Sequence, residues 1–318
     1  MDHLSLTVHC LTAHCPSSDN PLPDNPSFPP KEVGCVKTTV EQDLLNWDLP
    51  SYDVTVEEDV VYGYGSVGNG DPMALKLDIY RPVTNNNIIK HPLMIHIHGG
   101  SFKGGDKSGK STGAESSSGW AKRGYVVASI NYRLSGDNPA PSTKSNDLKN
   151  YLTEQSTGND PINAIVASIE DTLAAIDFMK LKEYVDPTVI VMNGYSAGAI
   201  TSLWTTFGVD NFGYDQPPIK AVVSHWGSLV YDQEEVNKLI PRVDVPAFLV
   251  HATGDSLVSY TGSQYLANRF ETLGMQYILH CRESGDHAIG IDSVEHQDGL
   301  TILEAEQYWV RNILQEAK

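Results

Sequence analysis

Apolar residues follow two rhythms along this chain. From Asp53 onward, Val54 and Val56, then Val60 to Tyr62, then Leu75, Leu77 and Ile79 stand among polar neighbours in the period of two expected of half-buried strands. Residues 65–71, Gly-Ser-Val-Gly-Asn-Gly-Asp, are dense turn chemistry, so the two runs predict an antiparallel hairpin at a sheet edge. Further on the alternation stops. Apolar runs at 92–96, 125–132 and 188–192, with further strands at 219–225, 246–252 and 275–281, read as a sheet covered on both faces. Helical spacing fills the gaps between them. Residues 162–176 place Ile162, Ile165, Val166, Ile169, Leu173 and Ile176 on one face, and 300–315 do the same with Ile302, Ala305, Trp309 and Ile313. Shorter helices are expected near 115–123, 199–207 and 260–273. The expected class is α/β: a doubly wound, mostly parallel sheet behind an antiparallel N-terminal hairpin.

Two stretches stand outside that alternation. Residues 1–52 lack periodicity and are punctuated by prolines from Pro16 to Pro30, as expected of an irregular extension to a domain spanning 53–318. Residues 134–160 are rich in Ser, Asp, Asn, Pro and Gly and long for a connection in such a sheet, so they read as a loop or small cap near a ligand, or as a surface insertion.

Composition narrows the class. Of 318 residues 40% are hydrophobic and 19% charged, which supports a sizeable core. Acidic residues outnumber basic ones 40 to 22, a formal charge of −18, which disfavours a nucleic-acid or anionic-membrane surface and would repel polyanions. No apolar run approaches the roughly 18 residues of a membrane span. Cys10, Cys15 and Cys35 suit either a disulfide tether in an extension of a secreted protein or three free thiols, and Cys281 reads as a small core residue. No signal peptide is visible. No C-x-x-C pair occurs, and His96 and His98 have no third ligand at suitable spacing, so neither metal nor cofactor is expected.

The chemistry centres on Asn193-Gly194-Tyr195-Ser196-Ala197-Gly198, between an apolar run and a helical one. A serine with glycine two residues before and after it reads as a sharp strand-to-helix turn that exposes a nucleophilic hydroxyl. A serine needs a base and a group to orient that base, and in a sheet of this order the acid follows the turn and the histidine comes last. Asp255 and His287 stand at successive strand ends and fill those places. His251 and His280 lie inside apolar runs and read as core histidines, His296 as the opening of a surface helix, and Asp286 as pointing away from His287. An oxyanion needs amide donors: Ala197 follows the nucleophile, and the Gly99-Gly100-Ser101 turn, shaped by His98, lets backbone approach a ligand. Phe102, Trp204 and Trp226 line a pocket or simply fill the core.

His98-Gly99-Gly100-Ser101-Phe102, Asn131-Tyr132-Arg133-Leu134, Gly194-Tyr195-Ser196-Ala197-Gly198, Gly254-Asp255-Ser256-Leu257-Val258 and Gly285-Asp286-His287 occur in that order over residues 53–318. Together they resemble α/β-hydrolase carboxylesterases, in the H-G-G branch that includes hormone-sensitive-lipase-like, feruloyl and acetyl-xylan esterases. The resemblance implies an α/β-hydrolase fold and a serine carboxylic-ester hydrolase that works through an acyl-enzyme on small short-chain or aryl esters. It makes Ser196 the nucleophile, His287 base then acid, Asp255 the orienting carboxylate, and the amides of Gly100, Ser101 and Ala197 the oxyanion donors. Ser101 stands where many relatives have glycine, and the longer helical cap of many relatives is replaced by the extension and residues 134–160. Amidases, arylformamidases and peptidases share fold and triad. A non-catalytic binding protein of this fold would have lost triad members, and here all three are present.

Overall fold

The alternating N-terminal stretch folds as two long strands, β1 (Val54–Val67) and β2 (Asp71–Pro82), paired antiparallel from Val54 opposite Pro82 to Val67 opposite Asp71. The structure, a computed structural model, describes residues 51–84, 89–108, 114–156, 158, 160–283, 285–291 and 300–316. Cys10, Cys15 and Cys35 with the rest of the leader, and His296, lie outside the described residues. The elements that follow are β3 (His91–Ile97), α1 (Ala114–Lys122), β4 (Val126–Ile130), α2 (Asn146–Gln155), α3 (Ile162–Lys180), β5 (Val185–Tyr195), α4 (Ala197–Leu203), β6 (Ile219–His225), α5 (Gln233–Leu239), β7 (Ala247–Ala252), α6 (Thr261–Leu273), β8 (Tyr277–Arg282) and α7 (Ile302–Glu316). They build one eight-stranded sheet in the order β1-β2-β4-β3-β5-β6-β7-β8. The hairpin occupies one edge; β2 meets β4 antiparallel, and every later pairing is parallel.

Both faces are covered, which is why the central runs carry no polar alternation. On one face Leu77, Ile95 and Ile130 pack with Ile169 and Ile176 of α3, Leu203 of α4 and Phe270 of α6. On the other, Met94, Val127, Val191 and Val223 pack with Trp120 of α1 and with Ile302 and Trp309 of α7. Among the described residues no helix is long and apolar enough to cross a membrane.

The structure departs from the sequence reading in four places. Among the described residues of 134–160, two short 3-10 turns lead into α2, a helix that the loop, cap and insertion readings did not name. The segment is held by Glu170 of α3, which accepts from Ser142 N (2.8 Å), Ser142 Oγ (2.7 Å) and Ser145 Oγ. Beside it the buried Arg133 forks onto Asp171, with Nε at 3.0 Å from either carboxylate oxygen and Nη2 at 2.7 Å from Oδ1. Strand β5 starts at Val185 and runs on to Tyr195, so strand geometry persists up to Ser196. Helix α5 was not expected; Asp232 caps it by accepting from Glu235 N at 2.9 Å. Cys281 is buried but is not a free thiol. It is disulfide-bonded, with a partner outside the described residues.

Candidate active site

Strand β5 passes directly into α4, and the residue at the join must reverse the chain within one step. Ser196 does so at φ 52°, ψ −117°, a conformation that costs about 1–3 kcal/mol for a residue with a side chain. The two glycines make the turn sterically possible. A Cβ on Gly194 would lie 2.2 Å from Gly198 O, and one on Gly198 would lie 2.1 Å from Ile97 O. Ser196 N donates to His225 O at 2.9 Å, and Ser196 O accepts from Ile200 N at 2.9 Å to begin the helix. The hydroxyl therefore stands at the carboxyl end of the sheet, at a helix N-terminus.

His287, on the loop after β8, reaches this hydroxyl with Nε2 at 2.8 Å from Ser196 Oγ, while its Nδ1 lies 2.7 Å from Asp255 Oδ2. A carboxylate only accepts, so Nδ1 carries the hydrogen and Nε2 is free to take the serine's. The carboxylate of Asp255, on the loop after β7, is shielded from solvent and fully engaged. Its Oδ1 accepts from Leu257 N and Val258 N, both at 2.9 Å. Burial pushes its carboxyl up, yet the Val258 amide, the His287 ring and the Leu257 amide outweigh burial and hold it below the usual carboxylate range. Asp286 turns away from the imidazole and is spent on the loop, accepting from His287 N and Ser256 Oγ at 2.8 Å each.

The Gly99–Phe102 turn packs against the serine. A Cβ on Gly99 would lie 2.9 Å from Tyr195 O and 3.1 Å from Ser196 Cβ, so only glycine allows this approach. Gly100 takes φ 123°, and its carbonyl accepts from Lys103 N and Gly104 N, while Ser101 and Phe102 both hold positive φ. His98 ties the turn down: Nδ1–H donates to Gly99 O at 2.7 Å, and the ring stacks on Tyr132 at 4.5 Å. Among the described residues the amides of Gly100, Ser101 and Ala197 donate to no protein acceptor. Of the aromatic candidates, Trp226 sets its ring edge-on to His287 at 6.1 Å. Phe102 is buried against Tyr132, and Trp204 is buried with Tyr151 and Phe212, its Nε1 donating to Leu229 O at 3.1 Å.

A family model for phospholipases and carboxylesterases matches residues 146–299, and a BD-FAE model matches 77–155. Among solved structures the chain is similar to Thermogutta terrifontis esterase 2 phosphoramylated by tabun, with 19% identity and a TM-score of 0.57 over 85% of this chain and 96% of that one. The butyrate-bound form of that esterase gives 17% identity and 0.57 over 85% and 95%. The chain has the α/β-hydrolase fold. No curated protein sequence matches it.

Three features of this fold escaped the sequence reading. His251 is buried as expected, but its Nε2 lies only 3.2 Å from Asp255 Oδ2. Tyr231 and Leu257, on the loops after β6 and β7, are strongly exposed. Beneath the serine turn, on the α1/α7 side of the sheet, His96, His225 and Glu306 form a buried polar layer. His225 stacks on Tyr195 at 4.1 Å, and its Nε2 lies 3.4 Å from Glu306 Oε1. None of the ring nitrogens of His96 and His225 or the oxygens of Glu306 has a hydrogen bond among the described residues. Burial lowers His96 to about 3, drives His225 well below the usual histidine range and drives Glu306 well above the carboxylate range.

Proposed function

We propose that the protein hydrolyses small carboxylic esters with short acyl or aryl groups, by way of an acyl-enzyme on Ser196. The observation that carries this reading is the continuous relay Ser196 Oγ, His287, Asp255, with contacts of 2.8 and 2.7 Å at a strained strand-to-helix turn. Ser196 Oγ attacks the ester carbonyl while His287 Nε2 takes its proton, and the imidazolium so formed faces the Asp255 carboxylate. The amides of Gly100, Ser101 and Ala197 receive the oxyanion. His287 then returns the proton to the departing alcohol. Water, deprotonated by the same nitrogen, releases the acid and restores the serine. Residues 53–318 form the catalytic domain in this account, with 1–52 an extension.

Support for small acyl groups comes from the similar Thermogutta esterase, which is seen with butyrate and with propionate bound. Trp226 beside His287 offers an apolar surface next to the base, and the charge of −18 disfavours polyanionic substrates. The test is a series of nitrophenyl esters of rising chain length, with feruloyl and acetyl-xylan substrates and a matched anilide. The reading expects the highest kcat/KM on short or aryl esters and slower turnover of the anilide. An anilide preferred over its ester would replace it with an amidase.

A further inference from the structure

We propose that His251 is a positioning residue that locks the Asp255 carboxylate in register with His287. The loop after β7 leaves Asp255 Oδ1 with two backbone donors, whereas Oδ2 must serve His287 alone unless something meets it from the core. His251, the penultimate residue of β7, lies there. Its Nε2 is 2.9 Å from Val258 O and 3.2 Å from Asp255 Oδ2. Both neighbours are acceptors, so Nε2 carries a hydrogen between them. The opposite nitrogen, Nδ1, lies 2.7 Å from Ser263 Oγ on α6, which donates to it when the ring is neutral. Burial favours that neutral form, and the Tyr260 ring packs edge-on at 5.7 Å to fix the imidazole plane.

The arrangement does two things that an apolar residue would not. It sets one donor, hydrogen-bonded to the carbonyl of Val258 and held from α6 through Ser263, 3.2 Å from Asp255 Oδ2, which favours the rotamer that keeps Oδ2 on His287. It also supplies that donor without a charge, leaving Asp255 a full anion for the imidazolium. Displacing a catalytic group by about 1 Å costs on the order of 100-fold in rate, which sets the scale of the effect.

The activity readout rests on the esterase reading above. His251→Phe is expected to lower kcat by about 10- to 100-fold with KM unchanged. His251→Gln, whose amide nitrogen reaches the place of Nε2, should restore most of it, and His251→Asn, whose nitrogen reaches only the place of Nδ1, should not. In an Asp255→Asn background His251→Phe should add almost nothing, because it acts through the carboxylate. Wild-type kcat in His251→Phe, or an equal loss in both backgrounds, would overturn the proposal. If His251→Phe does not fold, the Gln and Asn variants carry the same comparison. If the wild type neither hydrolyses esters nor reacts with a fluorophosphonate, the esterase reading falls, and the proton NMR signal of His287 Nδ1–H decides the matter for His251. That signal should be protected from exchange in the wild type and His251→Gln and lost in His251→Asn. Equal protection in all three would refute the positioning role.

Discussion

Asp255 and Glu306 are both carboxylates with side chains wholly shielded from solvent, yet they are held in opposite states. Asp255 receives two amides and the His287 ring, with His251 close behind, and is pushed below the usual range. Glu306, on the inner face of α7, has no hydrogen bond among the described residues and is pushed well above it. Burial is common to both, so the donors decide ionisation. One region is an anion built by its loop for use at the sheet's carboxyl end. The other is a neutral polar layer inside the core, where protonation changes are coupled to folding rather than to turnover.

Breaking the first region has the largest expected effect. Asp255→Asn keeps the shape but no longer selects the Nδ1–H tautomer of His287, and should lower kcat by about 10⁴-fold with a near-normal melting curve. The second region is read through acid stability. His96 stays neutral in the folded protein down to about pH 3, whereas the unfolded chain protonates it near 6.5. Between those values the unfolded state binds more protons, so stability is lost as pH falls, by about 1.4 kcal/mol per pH unit for this residue alone. His225 and His251 add to the slope in the same direction. Urea midpoints measured at intervals from pH 7 to 4 should trace this loss, and His96→Leu should flatten it. Glu306 acts with the opposite sign. Its folded value is raised, so the folded state holds the extra proton above pH 4.5 and stability falls as pH rises. Glu306→Gln should remove that alkaline loss and gain on the order of 1 kcal/mol at pH 8 by thermal melts. Ser256→Ala, which frees only the exposed Asp286 from one bond, should leave the melting curve nearly unchanged and kcat within about two-fold.

The same contrast explains what could be read in the sequence. The sheet was legible because its forces are local and repetitive: Leu75, Leu77 and Ile79 alternate, and Ala221, Val222 and Val223 form an unbroken apolar run. The turn at Ser196 was legible because its steric demand acts between residues two apart, on Gly194 and Gly198. Chain order at strand ends was enough to bring Asp255 and His287 to that turn. Where a contact depends on how a loop curls, the signal vanishes. His251 meets Asp255 only because residues 252–258 fold back over it, and in the sequence it was one more histidine in an apolar strand. Helix α2 was hidden because the segment leading into it is held by Glu170, which sits on another helix. Glu306 was hidden among Ile302, Ala305, Trp309 and Ile313, whose spacing announces a core face and is silent about an acid within it.

The central claim is that Ser196 is a nucleophile served by His287 and Asp255. Its most direct test is to treat the protein with a fluorophosphonate, map the adduct by mass spectrometry and follow ester turnover in parallel. The account predicts one adduct, on the peptide containing Ser196, formed in step with loss of activity and absent from a folded Ser196→Ala variant that also lacks turnover. An adduct on another residue, or ester hydrolysis that persists in Ser196→Ala, would contradict it.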